Sequence, residues 1–216
     1  MNDKQIYIGL FGFGTVGKGL YDVLKKIDPD NVHLVKVCVR NVAKHQQQAP
    51  ELEFTSEADD IFADPRVNFI VELIDDADAA YAIVKRALTA GYPVVSGNKK
   101  MLAAHLPEMI ELQKQHDTAL LYDASACGSI PVIRNLEEYY DLLISVKGIL
   151  NGSSNFILSK IFNEGMTYDA ALALAQKLGF AESDPTLDIG GWDSVFKLII
   201  ITMHAFGVYV PSNEIF

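Results

Sequence analysis

One lysine interrupts the apolar run Ser194-Val195-Phe196-Lys197-Leu198-Ile199-Ile200-Ile201-Thr202-Met203. A helix apolar on nearly all sides is expected to be buried. Its lysine must then be paired, reach the surface along its own stem, or face a polar cavity. Asp193 precedes Lys197 by one helical turn and shares its face. Glu182, Asp184 and Asp188 lie in the loop just before. The plain reading is a structural ion pair beside a solvated acidic loop. An acidic cluster next to a buried lysine better suits a small ligand carrying both an ammonium and a carboxylate, and that reading is favoured.

A second constellation lies near the start: Gly12-Phe13-Gly14-Thr15-Val16-Gly17. It follows a strand-like run and opens a helix. Glycines at this spacing permit a tight turn, close approach of backbone to a pyrophosphate, and close helix–strand packing. The helix start then offers unpaired N–H groups and the positive end of its dipole to phosphate. A tight turn with no ligand is the bland alternative. The second strand ends at Arg40-Asn41, with no Asp or Glu before Glu51. An acidic residue there would favour NAD, whereas arginine accommodates a 2′-phosphate. NADP is therefore expected ahead of NAD, unless Arg40 is simply a surface arginine at a strand end.

Positioning these groups takes an alternating chain. Strands are expected at 6–11, 33–40, 68–74, 93–96 and 118–123. Helices are expected at 15–26, ended by Asp28-Pro29-Asp30, at 78–90, ended by Gly91, and at 101–116. Short apolar strands alternating with helices imply a mostly parallel sheet covered on both faces. The pattern changes near residue 130. A strand at 146–150, a helix at 155–162, a helix capped by Thr167 and closed by Gly179, and a last helix at 194–206 follow. The expected fold class is α/β: a Rossmann nucleotide-binding domain (1–135), then a second, α+β domain (136–216), the boundary falling between 128 and 145.

Bulk properties narrow the partners. The 216 residues carry 18 basic and 28 acidic side chains, a net charge of −10, which disfavours nucleic acid as a partner. No apolar run is long enough to span a bilayer; the longest, near 198–201, is flanked by Lys197 and His204. The N-terminus lacks the basic flank and cleavage site of a signal peptide. Cys38 and Cys127, far apart and without metal-ligand spacing, fit a reducing, cytoplasmic setting.

Four further segments resemble the homoserine dehydrogenase family. They are Ser96-Gly97-Asn98-Lys99; Tyr122-Asp123-Ala124-Ser125 with Gly128-Ser129-Ile130-Pro131; Gly148 to Leu158 around Asn151-Gly152-Ser153-Ser154-Asn155; and the span from Ala175 to Lys197, with Gly179, Ala181, Asp184-Pro185, Asp188, Gly191 and Asp193 at the family's spacing. The resemblance runs from residue 6 to about 207. It implies a dehydrogenase interconverting L-homoserine and L-aspartate 4-semialdehyde, in threonine and methionine biosynthesis. Lys99 and Lys197 are the implied catalytic residues. Glu182, Asp188, Asp193 and Gly152 would bind substrate. Gly12, Gly14, Thr15, Val16, Gly17, Arg40, Ser96 and Lys99 would bind cofactor. A monovalent cation such as sodium would sit at Asp123, Ala126, Gly128 and Ile130, largely on main-chain oxygens. A lysine can both polarise an aldehyde oxygen and relay its proton when partial burial lowers its pKa.

The chain departs from the family pattern in places. Gly97 stands where Ala is usual, Asp123 where Glu is usual, and Asp75-Asp76 where Gly-Gly is frequent. The acidic pair is expected to bring negative charge towards the nicotinamide. Family members continue beyond the position of Phe216, so the chain is expected to be the front two-thirds of a longer protein that is a homodimer. Two other readings stay open: a non-catalytic NADP-binding fragment, and an acylating semialdehyde dehydrogenase using Cys127 as nucleophile, which would need an adjacent base.

Overall fold

A computed structural model of the chain describes residues 4–181 and 184–215. The chain forms two compact units, one ending at Ser125 and the other starting at Ala126. The division comes earlier than the expected one after residue 135, because helix Val132–Glu138 packs on the last long helix of the second unit.

The first unit is a six-stranded parallel sheet. Its strands are β1 (Ile6–Phe11), β2 (Val32–Cys38), β3 (Phe54–Thr55), β4 (Phe69–Glu72), β5 (Val94–Ser96) and β6 (Leu120–Leu121), in the spatial order β3-β2-β1-β4-β5-β6. The order reverses between β1 and β4, where doubly wound sheets bind ligands at the carboxyl ends of their strands. Central strands buried on both faces need continuous apolar side chains. Leu10, Val37, Ile70 and Val94 accordingly have no exposed surface. The helices are α1 (Thr15–Ile27), α2 (Val42–Gln48), α3 (Ala58–Phe62), α4 (Ala77–Thr89) and α5 (Lys99–Gln115). In α4 the buried residues Ala80, Val84, Ala87 and Leu88 recur with helical period, which is what one face against the sheet requires. Helix α1 ends where Asp28 takes a left-handed conformation.

A short helix α6 (Asp123–Cys127) spans the boundary between the units. The second unit contains α7 (Val132–Glu138), α8 (Gly152–Glu164), α9 (Tyr168–Lys177), α10 (Thr186–Ile189) and α11 (Trp192–Phe206). The Thr167 hydroxyl accepts from the Ala170 N–H and caps α9 as expected, and Gly179 follows the helix at φ +79°. The expected strand at 146–150 is not formed. Its backbone would need a neighbouring strand, and the described residues of this unit contribute only helices and turns. The expected α+β character of the unit is represented here by its helices alone. No helix among the described residues is long and apolar enough to cross a membrane.

Candidate functional site

In the first unit the glycine loop is shaped by steric necessity. Gly12 has φ +95°, and a Cβ there would lie 2.5 Å from the Leu73 carbonyl oxygen. A Cβ on Gly17 would come within 2.2 Å of the Gly12 oxygen. Neither position admits a side chain. Gly14 differs: a Cβ there would meet nothing within 4 Å, so the loop faces open space. Thr15 and Val16 are exposed at the start of α1, and no side chain caps that helix. Backbone N–H groups facing open space beneath three glycines fit a pyrophosphate. Phe13, between the first two glycines, is buried against Tyr21, His45 and Phe54 and anchors the loop.

Arg40 follows β2 and is 89% exposed; one guanidinium nitrogen lies 3.5 Å from Asp76 Oδ2. Asp76 is also the N-cap of α4, accepting from Asp78 N and Ala79 N. Those backbone N–H groups, with Arg40 and Lys100 nearby, hold its carboxyl below the usual aspartate range. The charge of the acidic pair is thus drawn partly towards Arg40, at the β2 end of the crevice.

On the other side of β1, Glu72 is fully buried at the end of β4. Ser96 donates its hydroxyl to Glu72 Oε2 at 2.6 Å, and Ile74 N–H donates to Oε1 at 2.8 Å. Burial pushes the Glu72 carboxyl up from its usual value despite these donors. Ser96 is buried as well, so its hydroxyl is turned inward rather than towards the crevice. Asn98 N–H donates to the Ser96 Oγ, and its Oδ1 caps α5 by accepting from Met101 N. Lys99 is the first residue of that helix.

In the second unit the expected acidic cluster forms around an asparagine. Asn151 is the N-cap of α8, its Oδ1 accepting from Ser154 N at 2.7 Å. Its amide nitrogen donates to Asp188 Oδ1 at 2.7 Å and to Asp193 Oδ2 at 3.0 Å. Ser153 Oγ stands 2.7 Å from Asp188 Oδ2 and 2.6 Å from the Phe180 carbonyl. Lys197 Nζ donates to Asp193 Oδ2 at 2.7 Å and to the Leu150 carbonyl at 2.8 Å. Asn151, Ser153 and Asp193 are buried, and the Lys197 side chain is 20% exposed. Donors and carboxylates alternate, so the polar groups are hydrogen-bonded, while two carboxylates against one ammonium leave the cluster with an excess of acidic groups.

The structure therefore brings Asp188, Asp193 and Lys197 together. Asp184 stands apart, accepting from Thr186. Gly152 is exposed at the first turn of α8, outside the hydrogen bonds of the cluster. Glu182 lies outside the described residues. Asn151 and Ser153 were legible only as part of a motif; an asparagine before Gly-Ser-Ser at a helix start was the signal for the cap.

The proposed cation residues are placed as follows. Asp123 begins α6, Ala126 is buried, Gly128 takes φ +60°, and Ile130 is exposed with its carbonyl accepting from Val132 N. Among the described residues no group of three or more His, Cys, Asp or Glu side chains is placed to hold a metal ion.

Comparison with known proteins agrees across both units. Residues 12–123 match the family model described as homoserine dehydrogenase, NAD binding domain, and residues 131–216 match that described as homoserine dehydrogenase. The homoserine dehydrogenase of Lactococcus lactis is 37% identical over 222 aligned residues, covering 97% of this chain and 52% of that protein. That of Bacillus subtilis is 33% identical, with 98% and 51% covered. The crystal structure of a homoserine dehydrogenase from Thiobacillus denitrificans superposes with a TM-score of 0.87 at 34% identity, covering 97% of this chain and 51% of that one. The chain spans about half the length of the curated relatives it matches, rather than the two-thirds expected. With both family models matched in order along one chain, it belongs to the homoserine dehydrogenase family.

Proposed function

We propose that the protein containing this chain interconverts L-homoserine and L-aspartate 4-semialdehyde, with NADP as its hydride carrier, in threonine and methionine biosynthesis. The observation that carries this reading is Lys197, held by Asp193 and the Leu150 carbonyl beside buried Asn151. An ammonium has three N–H donors. Those two acceptors take two, and the third is available to the alcohol or aldehyde oxygen of a substrate. There Lys197 would stabilise developing negative charge and exchange a proton with that oxygen, with Lys99 as the second candidate for the same role. Asp193 and Asp188 supply the negative charge that an amino-acid ammonium needs, and Glu182 is proposed for the same role. The bound nicotinamide supplies or accepts the hydride. Arg40 supports NADP over NAD, since its exposed guanidinium stands where a 2′-phosphate would be read.

Four narrower points belong to the same proposal. Main-chain oxygens around Ala126, Gly128 and Ile130, with Asp123, offer the hard donors that suit a monovalent cation. Self-association would draw on apolar side chains that the second unit exposes, such as Ile144, Ile149 and Phe162. Two free thiols, Cys38 and Cys127, suit a reducing cytoplasm. A nucleophilic Cys127 has less support, since among the described residues none of the five histidines is hydrogen-bonded to its thiol.

The test is to supply the full-length protein with homoserine and NADP and follow reduced nicotinamide by absorbance, beside Lys197→Ala. Turnover in the parent, lost in the variant while NADP binding persists, supports the assignment. Binding of NADP without turnover of homoserine would leave a nucleotide-binding protein on a dehydrogenase frame.

A further inference from the structure

We propose that Glu72 is a positioning residue for the nicotinamide half of the cofactor. The crevice at the reversal between β1 and β4 has two sides. Arg40, after β2, belongs to the adenosine side, and the loops after β4 and β5 border the other. Glu72 ties those two loops together from beneath. One carboxyl oxygen accepts from Ile74 N–H, in the loop after β4, and the other from Ser96, at the end of β5. Ser96 accepts in turn from Asn98 N–H, and Asn98 donates its amide back to the Ile74 carbonyl while capping α5. The circuit closes on the backbone immediately before Lys99.

A fully buried carboxyl is costly, and a leucine would fill the same space without that cost. What the acid adds is geometric. It accepts from two loops at once, which an apolar side chain cannot do. Its place in the circuit therefore fits control of loop conformation better than core stability. This inference rests on the dinucleotide-binding reading above.

The experiment measures melting temperature and the dissociation constants of NADPH and of 2′,5′-ADP for the parent chain, Glu72→Gln and Ser96→Ala. Glutamine keeps the shape and one acceptor oxygen. Its NH2 group faces Ser96, whose proton then loses its acceptor. The expected result is a Glu72→Gln chain that melts no lower than the parent and binds 2′,5′-ADP within about twofold. It binds NADPH about fivefold or more weakly, because the hydrogen bond that ties the two loops is lost on that side alone, while removal of the costly buried acid offsets that loss in the melting temperature. Ser96→Ala should shift the same ligand in the same direction. Equal weakening of both ligands in step with a lowered melting temperature would reduce Glu72 to a structural group and overturn the proposal, as would unchanged NADPH binding. A parent chain that binds neither ligand would instead sink the dinucleotide reading, and the inference with it.

Discussion

Lys197 Nζ lies 2.7 Å from Asp193 Oδ2, one turn earlier on the same helix, with both side chains largely withdrawn from water. A pair so placed is worth more than a surface i,i+4 contact, because breaking it strands a charge. Asp193→Ala should destabilise the second unit by about 1–3 kcal/mol, given the partial exposure of the lysine. In the full-length enzyme it should also cost turnover about a hundredfold or more, as expected when a positioned proton donor is disturbed. Chemical denaturation and steady-state kinetics check the two effects separately.

Asn151 performs a cap and a charge separation with one side chain. Asn151→Asp keeps an oxygen acceptor for Ser154 N–H but adds a third carboxylate against Asp188 and Asp193. Like charges so close disfavour joint ionisation. The variant should melt well below the parent at neutral pH and recover towards it in acid, read by thermal melts across pH. A uniform deficit at every pH would refute the electrostatic account.

The three loop glycines should separate by function. Gly12→Ala and Gly17→Ala put a methyl against backbone oxygens, and each should cost about 1–3 kcal/mol of stability. Gly14→Ala meets no neighbour and has an ordinary φ of −78°, so its melting temperature should match the parent's. Its methyl would instead enter the space where phosphate approaches. NADPH titration should show about tenfold weaker binding for that variant alone.

Asp76→Asn keeps a good helix cap while deleting the carboxylate that faces Arg40. NADPH should then bind a few-fold more tightly and NADH unchanged, because only the 2′-phosphate gains from a released arginine. Arg40→Ala should do the reverse. Parallel titrations with the two nucleotides give the ratio directly.

Glu72 links stability to pH. Burial, with a smaller contribution from Asp75, raises its folded-state pKa above the unfolded value. The native chain therefore holds this proton more tightly. The associated stability is full below the ordinary glutamate range and is lost as pH rises through the raised value. Glu72→Gln should remove that slope, so the difference in stability between variant and parent should move in the variant's favour as pH rises, followed by urea melts.

The sequence made the nucleotide half readable because its signals are local. β1 forms over the predicted residues, and Asp28 and Gly91 stand at the stops; in the second unit the cap at Thr167 is equally local. The strand at 146–150 failed for a non-local reason: Val-Lys-Gly-Ile-Leu has strand-like side chains, but pairing depends on a partner elsewhere. α2 is polar along most of its length, and the apolar face of α7, Val132, Ile133 and Leu136, covers too few turns to mark a helix by periodicity alone. Lys197 and Asp193 could be paired from their spacing alone. Asn151, 42 residues before Asp193, could not, since only folding brings them together.

The cap at Asn151 also makes one backbone hydrogen a reporter. Ser154 N–H is held by the same side chain that spaces Asp188 from Asp193. Opening the first turn of α8 must therefore disperse the carboxylates, and dispersing them must loosen that turn. Deuterium uptake at Ser154 should follow the integrity of the charged cluster, slowing when a cationic ligand settles there.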